Sequence, residues 1–464
     1  MERPAAAAAL LPPRVAVLGF ARSGRALAEA LLARGVAVMV ADRRAEGEFQ
    51  ALEPLRRRGV RFFFGDSPAE FLAHADWLAV SPGVPLGSPA VEEARSQGIP
   101  VLSELEIAWR IADAEGEGAH RWIAVTGTNG KSTTASWIAE ILNRAGRRAV
   151  LAGNIGAPLS GFLAEREPRD FVCEVSSFQL ETVDRFRPHV AVLTNITPDH
   201  LDRYRDFSEY AAAKARLFVR QQPGDFAILN ADDPGSAAIG TCGRRLLFSR
   251  RGRDPGGGAW LESGRLRSDV RPPIHDVIAA ADLALSGAHN VENALAAVAA
   301  AECLEAPPEA IIGALTDFRG LPHRTELVAE SGGIHWIDDS KGTNVDATAK
   351  SLEGYPERSV LLILGGRDKH GDFPVLVEPV ARAVRVVLTI GEAAASIERA
   401  LAGAAPVERC GTMERAVARA ASLARPGDTV LLSPACASFD QYENFEERGR
   451  HFTELVRQAV GGRR

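Results

Sequence analysis

The sequence predicts an α/β protein built on parallel sheets in three domains, and three observations carry that reading. The chain has 464 residues, which at roughly 150 residues per domain corresponds to about three domains. A unit of apolar strand, glycine-bearing or polar turn and helix starts afresh near Arg14, Arg121 and Ile334. The strands that follow are joined through helical patterns, the mark of βαβ connections and therefore of parallel pairing.

The first block runs RVAVLGF (14–20), then the helical ARSGRALAEALLARG (21–35), closed by Gly35, then VAVMVADRR (36–44). This order predicts a Rossmann-like N-terminal domain. A further strand, WLAV, leads into Ser81-Pro82-Gly83. The second block opens with the strand RWIAVTG (121–127), the loop TNGKST (128–133) and the helix TASWIAEILNRAG (134–146), the order of a P-loop ATPase-like domain. Strand patterns continue at FVCEV (171–175), VAVLTN (190–195) and FAILN (226–230). Residues 249–273, rich in Arg, Gly and Pro, predict a surface hairpin or loop insertion. The third block carries IHWIDD (334–339), VLLILGG (360–366), VRVVLTIG (384–391) and TVLLSPA (429–435), a second Rossmann-like pattern. Linkers are expected at DAEGEGAH (113–120) and around FRGLPHR (318–324), giving domains 1–113, 114–321 and 322–464.

Composition narrows the function classes. With 46% apolar and 25% charged residues and a formal charge of -6, the chain has the balance of a soluble globular protein. Nucleic-acid binding driven by bulk positive charge is excluded. The five cysteines (173, 242, 303, 410, 436) form no CxxC pair, which argues against a disulfide framework or a zinc site and fits a reducing cytoplasm. MERPAAAAALLPPR reads as a ragged start and not a signal peptide, because Pro12-Pro13 closes its short apolar stretch. No run approaches the ~18–20 apolar residues that span a bilayer. Of the 54 basic residues only five are lysine (131, 214, 341, 350 and 369). Each lysine is therefore a question, because arginine can neither lose its proton nor act as a compact point charge.

The strongest local signal is Gly127-Thr128-Asn129-Gly130-Lys131-Ser132-Thr133 between strand and helix. Such a loop turns backbone N–H groups onto phosphate oxygens, its lysine reaches the terminal phosphates, and its hydroxyl can hold Mg²⁺. It is two residues shorter than GxxxxGK[ST], and the competing reading is a capped turn that happens to contain GK. Gly19-Phe20-Ala21-Arg22-Ser23-Gly24 imitates a dinucleotide fingerprint, with Asp42 where a ribose-binding acid would sit. A tight βα turn that binds nothing, or a nicotinamide site, also fits it. Ser81, Pro82 and Gly83 could line the same crevice. Glu174 interrupts an apolar strand, where an ionised carboxylate needs compensation, and Mg²⁺ is the natural candidate. Asp199-His200 follows VAVLTN, although a lone histidine is more often structural. Lys214, in YAAAKARLF, would ordinarily be a solvated surface lysine. In the third block, Asp338-Asp339-Ser340-Lys341-Gly342-Thr343-Asn344, Gly365-Gly366-Arg367-Asp368-Lys369 and Ser433 to Tyr442 each end a strand, on the edge where α/β folds place ligands. Plain capping loops remain the alternative there.

Taken together, eight segments in order resemble the Mur ligases over nearly the whole chain: VTGTNGKST, GNIG (153–156), EVSSFQLE (174–181), TPDHLDRY (197–204), AHNVENALAA (288–297), GLPHR (320–324), DDSKGTN (338–344) and SPACASFDQYENFEERG (433–449). The resemblance implies an ATP-dependent amide ligation in cytoplasmic peptidoglycan precursor synthesis, through an acyl phosphate and a tetrahedral intermediate. The last two segments imply that D-glutamate is added, with UDP-N-acetylmuramoyl-L-alanine as the other substrate. By the same resemblance, Lys131 and the loop amides hold the ATP phosphates, and Ser132 and Glu174 hold one Mg²⁺. A second Mg²⁺ would be served by His200 and by Lys214 carrying a carbamate. Lys131, His200 and Lys214 would be the catalytic set.

Asn154 resembles a contact to the UDP-sugar, and Asn293, Arg324 and Asp339 resemble contacts to adenine, ribose and phosphate. Lys341, Thr343, Lys369, Ser438, Phe439 and Phe445 resemble the D-glutamate pocket. The first turn, with Gly19, Ser23, Gly24, Asp42 and Ser81 to Gly83, then reads as the UDP site. Two departures stand out: Ala21 replaces the middle glycine, and Arg367-Asp368 follows the double glycine where relatives vary. A monomer is expected, with neither nucleic acid nor membrane insertion. Competing readings are another amino-acid ligase of the superfamily, such as a folylpolyglutamate synthase, a nucleotide-dependent switch, or a nicotinamide oxidoreductase resting on the first turn alone.

Overall fold

The computed structural model describes residues 11–65, 69–115, 119–164, 167, 169–201, 203–285, 287–318, 320–369 and 371–461. Most of the expected ragged start, the middle of the first linker (116–118), and positions 202 and 319 lie outside the described residues. The chain divides into two compact units. The first comprises the chain through Ile196, Ala211–Ala280 and Asn293–Thr316; the second comprises Thr197–Tyr210, Ala281–Glu292 and the chain from Asp317 onward.

The first unit carries two sheets. One is all parallel: β1 (Arg14–Leu18), β2 (Ala37–Asp42), β3 (Arg61–Phe64), β4 (Trp77–Val80) and β5 (Val101–Ser103) lie in the order β3-β2-β1-β4-β5. Helix α1 (Arg22–Leu32) leaves the glycine turn after β1 and buries Leu27, Ala28 and Leu31 on one face. Helix α2 (Glu104–Glu115) follows β5 directly.

The other sheet has nine strands: β6 (Arg121–Thr126), β7 (Ala149–Gly153), β8 (Asp170–Glu174), β9 (Val190–Leu193), β10 (Phe226–Asn230), β11 (Arg244–Ser249), β12 (Gly258–Glu262), β13 (Arg265–Ser268) and β14 (His275–Ala279). Their order is β14-β13-β12-β11-β10-β9-β6-β8-β7. Burial of every residue of β8 and β9 matches the continuous apolar runs of strands covered on both faces. Helix α3 (Lys131–Arg144) is buried along most of its length, and helices α4 (Phe207–Ala215) and α5 (Ala288–Cys303) contribute Lys214 and Asn293 to this unit. The 249–273 segment does form a hairpin, β12 with β13, but as part of the sheet: β12 pairs parallel with β11 before the chain turns.

The second unit holds β15 (Glu326–Ser331), β16 (Ile334–Asp338), β17 (Val360–Gly365), β18 (Val384–Ile390), β19 (Val407–Gly411) and β20 (Thr429–Leu432), in the order β15-β16-β20-β17-β18-β19. Only the β15 pairing is antiparallel. Alternate residues of β17 feed two separate cores, Leu362 and Leu364 on one face and Leu361 and Ile363 on the other. Helix α6 (Phe445–Gly461) covers the second of these through Phe452 and Val456. Among the described residues, no helix is long and apolar enough to cross a membrane.

Candidate active site

In the first unit four neighbouring strands, β9-β6-β8-β7, deliver four loops to one sheet edge: Thr194-Asn195, the Gly127–Thr133 loop, Val175 onward and Asn154. A parallel sheet collects polar loops at its carboxyl edge in this way. Gly127 has φ 145°, and a Cβ there would lie 1.9 Å from Thr194 Oγ1. Gly130 has φ 82°, and its Cβ would lie 2.2 Å from Asn293 Oδ1, so both positions require glycine.

The loop is held from β9. Asn129 N donates to Asn195 Oδ1 (3.0 Å), Thr128 N to Asn195 O (2.9 Å), and Thr194 Oγ1 to Asn129 O (2.5 Å). Neither Thr194 nor Asn195 was marked by sequence reasoning; their signal was the polar pair ending VAVLTN. Lys131 Nζ folds onto its own loop, donating to Gly127 O (3.0 Å) and Thr128 O (2.7 Å). Glu174, 1% exposed, accepts from Ser132 Oγ and from Asn154 Nδ2, the latter at 2.7 Å. A hydroxyl and a carboxylate meeting at a phosphate loop form an all-oxygen donor set that fits Mg²⁺. Thr133 is buried beside them and Thr134 Oγ1 donates to Asn293 Oδ1 at 3.3 Å.

Lys214 departs from the ordinary surface lysine. It is 1% exposed, and its Nζ donates to Gly127 O at 2.7 Å, the same carbonyl that receives Lys131. Two ammonium groups therefore converge on one oxygen, an arrangement of like charges that an anionic modification of one of them would relieve.

The first sheet gathers the other predicted residues of this unit at its own carboxyl edge, on neighbouring β2-β1-β4. Ser81 Oγ donates to Gly19 O at 2.8 Å, and Gly24 is buried one helical turn on. Ser23 and Pro82 are half-buried and Gly83 is exposed. Asp42 is buried and engaged by its own loop, accepting from Phe20 N (2.7 Å) and from Arg44 Nε (3.0 Å) and Nη2 (2.9 Å). Burial pushes its pKa up, but the Arg44 guanidinium and the Phe20 and Arg44 amides outweigh that and hold it below the usual range.

In the second unit β16, β20 and β17 are adjacent, so the three polar loops predicted from sequence leave neighbouring strand ends. Asp339 is buried and accepts from Ser433 Oγ at 2.8 Å; burial raises its pKa to about 7 despite that bond and Arg324. Lys341 Nζ sits 4.0 Å from the centroid of the Phe445 ring. Thr343 N donates to Lys341 O at 2.7 Å. Lys369 Nζ donates to Asp199 Oδ1 (2.9 Å) and Asn344 Nδ2 to Asp199 Oδ2 (2.9 Å). Burial opposes ionisation of Asp199, but Lys369 and His200 prevail and hold its pKa at about 2. His200 adopts φ 56° beside it, its N donating to Asp199 Oδ1 at 2.9 Å. Ser438 is buried, whereas Phe439 is 62% exposed.

Sequence reasoning also missed Arg448. Fully buried on α6, it donates to Ser340 O (2.8 Å), Ser340 Oγ (3.0 Å) and Cys436 O (3.2 Å), tying two of the three loops together. Its guanidinium needs buried acceptors, which only the tertiary fold supplies. His323 Nδ1 bonds Asp338 Oδ2 at 2.7 Å, and that bond raises the imidazole pKa.

Comparison with known proteins places these loops in context. Residues 13–103 match the Mur ligase MurD-like N-terminal domain, 125–301 the Mur ligase middle domain, and 323–436 the Mur ligase glutamate ligase domain. The UDP-N-acetylmuramoylalanine–D-glutamate ligase of Anaeromyxobacter dehalogenans is 44% identical, covering 97% of this chain and 99% of that protein. The enzyme of the same name from Pelotomaculum thermopropionicum is 43% identical, covering 96% and 97%. Among solved structures, UDP-N-acetylmuramate-alanine ligase of Thermotoga maritima shares the fold at TM-score 0.58 and 19% identity, covering 96% of this chain and 99% of that one. The MurF ligase of Thermotoga maritima, in complex with ADP, does so at TM-score 0.60 and 14% identity, covering 92% and 96%.

Proposed function

The chain belongs to the Mur ligase family, and from that premise we propose that it joins D-glutamate to UDP-N-acetylmuramoyl-L-alanine, converting ATP to ADP and phosphate, in peptidoglycan precursor synthesis. The observation that carries this reading is the cluster on the phosphate loop: buried Glu174 bonded to Ser132, and two lysines on the Gly127 carbonyl.

Phosphoryl transfer to a carboxylate requires positioning and charge neutralisation more than covalent catalysis. The amides of Gly127 to Thr133 and the Lys131 ammonium take the ATP phosphates, Lys131 exchanging its loop carbonyls for phosphate oxygens. Ser132 and Glu174 hold Mg²⁺, which neutralises phosphate charge when bound. The acyl phosphate formed on the muramoyl-alanine carboxylate is attacked by the amine of D-glutamate, and the tetrahedral intermediate expels phosphate. Lys214, as a carbamate, and His200 would each offer a ligand to a second Mg²⁺. The buried position beside Lys131 supports this: Lys214, having lost its proton, adds CO₂ at Nζ and releases a second proton, so that a carbamate with one negative charge shared by two oxygens replaces the ammonium and removes the like-charge convergence on Gly127 O.

Gly19, Ser23, Gly24, Asp42, Ser81, Pro82, Gly83 and Asn154 bind the UDP-sugar, with Asp42 shaping the turn it is bonded to. Asn293, Arg324 and Asp339 take the adenosine end of ATP, and Lys341, Thr343, Lys369, Ser438, Phe439 and Phe445 take D-glutamate. These roles divide over domains 1–113, 114–321 and 322–464 in a cytoplasmic monomer. The test is phosphate release from MgATP, expected only with both UDP-N-acetylmuramoyl-L-alanine and D-glutamate present. Equal release with L-lysine, with diaminopimelate or without an amino acid contradicts it.

A further inference from the structure

With UDP at the turn after β1, on the five-stranded sheet, the carboxylate of the same substrate must still reach the phosphate loop on the nine-stranded sheet. The diphosphate lies chemically between the two ends and therefore crosses where the two sheet edges meet. Arg22, the first residue of α1, spans that junction, donating from Nη2 to Gly156 O at 2.6 Å. Gly156 ends the loop after β7 that carries Asn154, and the loop is firmly held. Gly153 N donates to Ala157 O (3.0 Å) and Asn154 N to Glu174 O (2.9 Å). A Cβ on Gly156, at φ 74°, would lie 2.6 Å from Leu151 O. The carbonyl that aims Arg22 is thus fixed in place.

The position of Arg22 is electrostatically unfavourable in the free protein. The start of a helix carries positive partial charge and favours acidic side chains, yet the first turn of α1 contains no acid, and its N-cap, Ala21, offers no side-chain hydrogen bond. Ala21 itself, at φ -84°, needs no glycine there. The two neighbouring arginines of this edge are already committed. Arg44 is forked on Asp42, and Arg25 is turned onto the Gln50 and Ala51 carbonyls and the Phe20 ring. Arg22 is exposed, and among the described residues its one partner is the Gly156 carbonyl, so Nε and Nη1 are uncommitted. A cation at the positive end of a helix, aimed but not neutralised, is matched by an anion at that turn.

We infer that Arg22 binds the diphosphate of UDP-N-acetylmuramoyl-L-alanine, its guanidinium standing between the UDP turn and the Asn154 loop. The inference rests on the placement of UDP at the first turn. Nε and Nη1 take phosphate oxygens while Nη2 stays on Gly156 O, which ties the diphosphate to the loop that leads toward the phosphate site. A guanidinium suits this double task, because its donors are spread over a rigid plane.

The test uses Arg22→Met and Arg22→Lys in the full chain, assayed at saturating MgATP and D-glutamate with UDP-N-acetylmuramoyl-L-alanine varied and with UDP or uridine competing against it. In Arg22→Met, KM for UDP-N-acetylmuramoyl-L-alanine and the inhibition constant of UDP should rise tenfold or more, while that of uridine, which has no phosphates, changes less than twofold. KM for ATP and for D-glutamate, and the melting temperature of the free protein, should stay at native values. Arg22→Lys keeps the charge and should return UDP inhibition to within threefold of native. Unchanged UDP inhibition in Arg22→Met, or a Lys variant as weak as the Met variant, overturns the proposal. So does equal weakening of UDP and uridine, or a loss spread over all three substrates with a lowered melting temperature, since either marks Arg22 as a structural staple. A native chain that UDP does not inhibit competitively overturns the placement of UDP at this turn, and the proposal with it.

Discussion

At the scale of single residues, the lysines separate what charge alone can do from what chemistry requires. Lys350 has a plain structural account, pairing with Asp346 one helical turn away at 3.2 Å. Lys214 does not, being buried against the phosphate loop with Lys131. Lys214→Arg keeps the charge but cannot be carbamylated, so steady-state assays should find kcat reduced at least 100-fold; near-normal turnover removes the carbamate from the mechanism. Asp339 gives a pH-dependent prediction. Its folded pKa of about 7 stands above the ordinary 3.8, so between these values the folded state binds a proton that the unfolded state has released. Stability from this group is thus present below pH 4 and is lost as pH rises through 7. In the ligand-free protein, Asp339→Asn should raise the melting temperature by several degrees at pH 8 and by little at pH 5. A pH-independent difference contradicts the assignment.

At the scale of elements, the strand, glycine loop and helix of the phosphate site were legible because each leaves a local signal: a fully apolar strand, turn residues of special φ, and a helix closed by glycine. The same holds for the three loops of the second unit, which follow the largely apolar β17 and β20 and the alternating β16. What escaped were strands with weak local patterns, such as β3 (RFFF) and β7 (AVLAG), each an edge strand of its sheet, and β11 to β14, where arginines and glycines mask the alternation. Sheet membership of the 249–273 hairpin depends on pairing with β11, which no local pattern records. Within the site, Arg448 was illegible for the same reason, since its partners lie far away in sequence, whereas Asn195 left only the polar pair that ends its strand. The glycine loop itself is testable. Gly130→Ala places a side chain at φ 82° and against Asn293, at a cost of about 1–3 kcal/mol from the backbone alone. Denaturant unfolding should show that loss, and kcat/KM for ATP should fall at least tenfold; an unchanged KM and midpoint would mean the loop relaxes freely.

At the scale of the whole molecule, each of three sheets presents polar residues at its carboxyl strand ends, and the family's three domain models follow the chain in the same order. The fold class follows from the recurrence of one strand-loop-helix unit. The division into compact units does not, because residues 197–210 and 281–292 group with the second unit through contacts that no linker composition announces. The central claim is that ATP activates the substrate carboxylate by phosphorylating it. With ¹⁸O in the alanyl carboxylate of UDP-N-acetylmuramoyl-L-alanine, mass spectrometry of the released phosphate should find one ¹⁸O per turnover in the presence of D-glutamate. Released phosphate without the label would contradict the account.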